Sequence, residues 1–110
     1  MDLESLKHAV LNGVPIEYTA HCQKRMLERD INRDDILNCL LHGEIIEDYP
    51  LDVKSMSIKS LPSCLIMGCR YSDNKIIHTV VGFNGDKILI ISACYPDALH
   101  WYDDYKTRRN

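Results

Sequence analysis

An α+β fold is expected for this chain: N-terminal helices packed on an antiparallel sheet of about four strands. Three observations predict it. Apolar residues in roughly the first forty positions recur at helical spacing and are bounded by capping residues. From Glu44 onward the period shifts to two. Asn84-Gly85 falls between two strand-like runs, the strongest short-range signal for a hairpin.

The elements follow in order. Asp2 caps a first helix over Leu3–Leu11, in which Leu3, Leu6 and Val10 share a face, and Gly13 is placed to end it. Gly13-Val14-Pro15 turns the chain into a short extended piece, Ile16-Glu17-Tyr18. Thr19 is the N-cap of a second helix over Ala20–Arg29. Asn32 caps a third over Arg33–His42, with Asp35 at the third helical position and an Ile31/Ile36 staple. Such a cap contributes about 1 kcal/mol. Ile36, Leu37, Leu40 and Leu41 form its buried stripe, and Gly43 stops it. A strand over Glu44–Tyr49 ends at Pro50, and residues 51–61 show no dominant period. Strands are then expected over residues 63–71, 75–83 and 86–94, joined at Asp73-Asn74 and Asn84-Gly85 as a meander.

At 110 residues the chain has room for one core, so a single domain over residues 1–110 is expected. No apolar run reaches membrane-span length, and MDLESLKHAV lacks the basic and apolar regions of a signal peptide. Five cysteines, an odd number without repeated spacing, argue against a disulfide framework and for a reducing cytoplasm. No Cys-x-x-Cys pair is present, and Cys64 and Cys69 face opposite ways in a strand, so no structural zinc is expected. Asp34-Asp35 is explained by helix capping and Asp103-Asp104 by a solvated terminal segment, which leaves no acidic cluster for two-metal hydrolysis. There is no phosphate-binding glycine loop, and no cofactor is expected. The formal net charge of -3 argues against a large basic face for nucleic acid but leaves room for a local one.

The second helix carries the most chemistry. His21, Arg25 and Arg29 stand four residues apart, so they project along one side. An imidazole beside guanidinium groups suits proton transfer next to a bound phosphate.

Taken together, several motifs resemble the domain of unknown function 4258 family. They are Thr19-Ala20-His21-x-x-x-Arg25-Met26-x-x-Arg29, then Gly43-Glu44-Ile45-Ile46-Glu47-x-Tyr49-Pro50, and Pro62-Ser63-Cys64-Leu65. His78 before Val80-Val81 and Pro96-Asp97 followed by Trp101 and Arg108 complete the pattern. The family is similar to RelE-like and barnase-like ribonuclease toxins, which place helices against an antiparallel sheet. The resemblance implies a metal-independent endoribonuclease, the toxin half of a toxin–antitoxin pair. RNA would be its substrate and a small zinc-finger antitoxin its partner. The chain departs from the family pattern in a longer connection over residues 51–61 and in Lys75-Ile76-Ile77-His78. It departs again at Cys94, where the strand-end tyrosine is displaced by one place to Tyr95.

Metal-independent RNA cleavage needs a base, an acid and cations on the phosphate. On this reading His21 and His78 supply proton transfer and Arg25 and Arg108 the clamp, while Arg29, Tyr95 and Lys106 contact substrate. Structural roles compete with each assignment. His21 can buttress the sheet while Arg25 pairs with an acidic neighbour such as Asp48. His78 can be a hydrogen-bonded core or rim histidine, Arg108 part of a frayed tail, and Trp101 a packing anchor. The alternative function is a non-catalytic module that holds a protein or nucleic acid in the same cleft.

Overall fold

The computed structural model describes residues 1–49 and 61–109. The connection expected at residues 51–61 therefore lies almost wholly outside the described residues. Among these residues three helices occupy the expected ranges: α1 (Leu3–Leu11), α2 (Ala20–Arg29) and α3 (Arg33–His42). Their caps are those read from the sequence. The Thr19 hydroxyl accepts from Cys22 N, and Asn32 and Asp35 form a reciprocal capping box.

The strands are β1 (Ile16–Tyr18), β2 (Glu44–Tyr49), β3 (Ser63–Cys69), β4 (Ile76–Phe83) and β5 (Ile88–Cys94). They form one five-stranded sheet in the order β1-β5-β4-β3-β2. Two expectations are corrected. Among the described residues the sheet has five strands, not about four, and it is mixed: β1 pairs parallel to β5, Ile16 against Ile88 and Tyr18 against Ile90. A three-residue segment is too short to show a period, and its partner lies some seventy positions away, as the bond from Thr19 Oγ1 to Ile91 O illustrates (separation 72).

The strand ends are also trimmed by local hydrogen bonds. Tyr71 N donates to Asp35 Oδ1, which pulls residue 71 off the end of β3 toward α3. The Asn84 side chain accepts from both Asp86 N and Lys87 N, so β5 begins only at Ile88. Gly85, at φ +95°, supplies the left-handed turn conformation of the β4–β5 hairpin.

The helices cover one face of the sheet. Cys22 and Met26 of α2 and Ile36, Cys39 and Leu40 of α3 pack with Ile66, Ile77, Val81, Ile90 and Ala93. The approach of α3 to β3 is close: a Cβ on Gly68 would sit 2.7 Å from Cys39 Sγ and 2.8 Å from its Cα. Helix α2 also covers the edge of β5 beyond β1. Thr19 Oγ1 donates to Ile91 O and Arg29 Nη1 to Ala93 O, satisfying carbonyls that would otherwise be exposed.

The second face of the sheet carries the residues opposite one another in register: Met67, His78 and Cys94 in one row, Glu47, Leu65, Val80 and Ser92 in the next. Two bulges set these rows. One extra residue at Ile46 turns Glu47, and another at Ile91 turns Cys94, onto this face. The chain after β5 returns across it, with Trp101 and Arg108 forming an isolated antiparallel bridge.

Candidate active site on the second sheet face

His78 is the centre of this face. It is 2% exposed, and its ring meets Trp101 edge-on, with centroids 4.5 Å apart and planes at 88°. Its Nε2 lies 2.8 Å from the carbonyl oxygen of Tyr105. Burial lowers its pKa from 6.5, outweighing the opposing bond to Tyr105 O, and Arg108 adds to the lowering, which favours the neutral ring.

Arg108 stacks over Trp101, its guanidinium carbon 4.6 Å from the ring centroid. It binds Glu47 through two hydrogen bonds, Nε to Oε2 at 2.6 Å and Nη2 to Oε1 at 3.0 Å. That guanidinium, together with the Tyr49 hydroxyl, holds the Glu47 carboxyl below the usual range despite partial burial. The same burial and the neighbouring carboxylate push the Tyr49 phenol up to about 12.

A cavity of about 220 Å³ opens between these groups, and Tyr49, His78, Cys94, His100, Trp101 and Arg108 are among its lining residues. His100 stands at the rim, its Nδ1 2.8 Å from Asp97 Oδ1. Asp97 also accepts from the backbone N of Leu99 and His100, so the turn and the imidazole are fixed by one carboxylate. That bond to His100 is the main reason the Asp97 pKa is lowered.

Of the residues selected from the sequence, His78 and Arg108 come together around this cavity, and Tyr95 contributes to its wall. His21 and Arg25 do not line it. His21 is exposed on the first turn of α2 and has no hydrogen-bond partner among the described residues. Arg25 pairs with Glu28 at 2.8 Å rather than with Asp48, which takes the N-terminal ammonium of Met1 instead. Arg29 is engaged by Ala93 O. The Tyr95 hydroxyl donates to Arg29 O at 2.6 Å and accepts from Arg70 Nη1 at 2.7 Å. Lys106 pairs with Glu44 at 2.8 Å.

Sequence reasoning missed Glu47, Tyr49 and the Asp97–His100 pair as members of the site. Two signals were available. Adjacent Ile45 and Ile46 break the period of two and mark the bulge that re-aims Glu47. Asp97-x-x-His100 has the spacing of a side chain closing one turn.

Cys22, Cys39, Cys64 and Cys94 have little nucleophilic character. Burial pushes Cys22 and Cys64 up to about 11 and Cys39 to about 12, and it raises Cys94 as well. Among the described residues no three His, Cys, Asp or Glu side chains converge as a metal site. A larger depression of about 310 Å³ lies between Tyr18, Met26, Leu27 and Arg33. It contains no acid–base pair, so the smaller cavity is the better candidate for chemistry.

Residues 18–95 match the family model described as "Domain of unknown function (DUF4258)". No curated protein matches the chain, and no solved structure does. Among the described residues no helix is long and apolar enough to cross a membrane.

Proposed function

The chain belongs to the DUF4258 family, and from that premise and the residues around His78 we propose that it is a metal-independent endoribonuclease of the RelE/barnase-like kind. The observation that carries the reading is the grouping of two differently placed imidazoles and one arginine around a single cavity. His78 is buried and neutral, which suits a general base, and His100 is exposed and oriented by Asp97, which suits a general acid.

In the proposed reaction His78 takes the proton of a 2′-hydroxyl. The 2′-oxygen bonds to phosphorus, the bond from phosphorus to the 5′-oxygen breaks, and His100 gives a proton to the departing oxygen. The products are a 2′,3′-cyclic phosphate and a 5′-hydroxyl. Arg108 exchanges Glu47 for the phosphate and stabilises its charge in the transition state. The Trp101 side chain swings aside to admit the strand, because its ring covers His78 here. The toxin role and a small zinc-finger antitoxin as its keeper extend the same proposal. His21, Arg25 and Arg29 would then serve as a basic track on α2 rather than as the reacting groups.

Purified protein incubated with a fluorescent RNA in EDTA tests the reading. Cleavage leaving cyclic phosphate ends, with no cleavage of a DNA of the same sequence, is expected. Failure to cut free or ribosome-bound RNA would remove the enzyme reading.

One observation favours the non-catalytic module: Glu47 already satisfies Arg108 with good geometry, and Trp101 covers His78. RNA or protein bound without any cleavage would identify that function.

A further inference from the structure

We propose that the turn at residues 102–107 is a positioning element that holds His78 as its Nε2–H tautomer and so leaves Nδ1 as the proton-accepting nitrogen. A carbonyl oxygen only accepts, so the 2.8 Å contact with Tyr105 O requires a proton on Nε2. In a neutral ring the lone pair then resides on Nδ1, which has no hydrogen-bond partner among the described residues. The opposite tautomer would set two lone pairs against each other at a ring that is itself buried.

The backbone at Tyr105 supplies an independent sign. Its φ of +56° is left-handed, a conformation that a residue with a Cβ adopts only where its surroundings impose it. The imposing contacts are visible. Asp104 accepts from Lys106 N at 2.9 Å, Thr107 N at 3.0 Å and Thr107 Oγ1 at 2.8 Å. Tyr105 N donates to Tyr102 O, and Tyr102 N to Thr107 O, each at 2.9 Å. Lys106 to Glu44 and Arg108 to Glu47 tie the returning arm to β2. The turn is thus built by Asp104 and moored by two ion pairs, and its outcome is a carbonyl aimed at one nitrogen of one histidine.

Asp104 and Tyr105 act through His78 and need not touch substrate, so they are positioning residues. Their importance for catalysis rests on the reading of His78 as the base, whereas the tautomer itself does not.

The test is two-bond proton–nitrogen correlation spectroscopy on the ¹⁵N-labelled full chain, above the pKa of His78. Wild type should show the Nε2–H pattern for His78. Tyr105→Gly should preserve it, because glycine adopts the left-handed conformation and keeps the carbonyl. Asp104→Ala should give mixed tautomers and a displaced His78 titration, with Thr107→Ala as a second variant if the first unfolds. Where cleavage is measurable, Asp104→Ala should lower kcat about tenfold with little change in KM. An Nδ1–H pattern in wild type, or an unaltered tautomer and titration in both folded turn variants, would overturn the proposal. The Nε2–H pattern in a protein that cleaves no RNA would support the positioning device and reject the ribonuclease reading.

Discussion

Glu47 and Arg108, 61 residues apart, tie the edge strand β2 to the returning C-terminal arm through hydrogen bonds of 2.6 and 3.0 Å. The pair exists because the bulge at Ile46 turns Glu47 away from the helices. Without that extra residue, strict alternation would point Glu47 to the helix side and leave Arg108 without this carboxylate. The contact has two consequences under the proposed function. It keeps the arm across the site, and it places a carboxylate in competition with phosphate for the same guanidinium.

Removing that competition should therefore strengthen RNA binding. Glu47→Gln is expected to lower the Kd for a non-cleavable 2′-deoxy-substituted RNA several-fold at low salt, with a smaller gain at high salt. Arg108→Ala should weaken binding and reduce cleavage about a hundredfold. Fluorescence anisotropy at two salt concentrations measures both. An unchanged Kd in Glu47→Gln would show that Arg108 does not meet the phosphate.

The two histidines selected from the sequence should separate in a direct comparison. His78→Gln retains a side-chain donor for Tyr105 O but removes the base, and about a hundredfold or greater loss of rate is expected. His21→Ala, on the exposed start of α2, should stay within a few-fold of wild type. Initial rates on one RNA, with folding checked by circular dichroism, decide the matter. A dead His21→Ala beside an active His78→Gln would move the site to α2.

These residues also show how much of the molecule was legible in the sequence. The helices were readable to their ends because Asp2, Thr19 and Asn32 act within one turn of themselves. The β4–β5 hairpin was readable because Asn84-Gly85 encodes its own turn. The parallel β1–β5 pairing was not, since three residues carry no usable period and the partner is remote. In the site, the His21/Arg25/Arg29 stripe was visible as helical spacing, but spacing does not show where that stripe points. His78 was visible as a polar residue in an apolar strand, while Glu47 depended on a bulge and His100 on a turn. The long-range meeting of β2, β4 and the C-terminal arm is tertiary information.

Acid should destabilise the protein in two stages. The folded His78 pKa lies below 6.5, so the unfolded chain takes up this proton first. Stability is therefore lost as pH falls from about 6.5 toward the folded value. Glu47 is lowered from 4.5, so its contribution is present above that value and is lost as pH falls through its depressed folded pKa. Asp97 and Asp104, also lowered, add to the second stage. Urea midpoints measured across this range should fall with acidification. His78→Gln should flatten the upper part and Glu47→Gln only a portion of the lower. Equal wild-type midpoints at about pH 7.5 and 5 would contradict the buried neutral histidine.

Asp35 should matter to stability and not to chemistry. It is 1% exposed and its two oxygens serve different parts of the fold. Oδ2 accepts from Asn32 N at 2.9 Å and closes the capping box of α3. Oδ1 accepts from Tyr71 N at 2.8 Å and fixes the β3–β4 connection to the start of that helix. Asp35→Ala leaves both amides without this acceptor and opens a small void, so a loss of about 2–3 kcal/mol is expected. For a domain of this size that corresponds to a fall in Tm of about 10 °C. Asp35→Asn keeps one carbonyl acceptor and should lose roughly half as much. The cleavage rate per folded molecule should be unchanged in both, because Asp35 is not among the residues lining the His78 cavity. Thermal melts together with initial rates at a temperature where each variant is folded separate the two effects. A variant as stable as wild type would show that the paired hydrogen bonds contribute nothing net, and a folded variant with reduced rate would place Asp35 in the site.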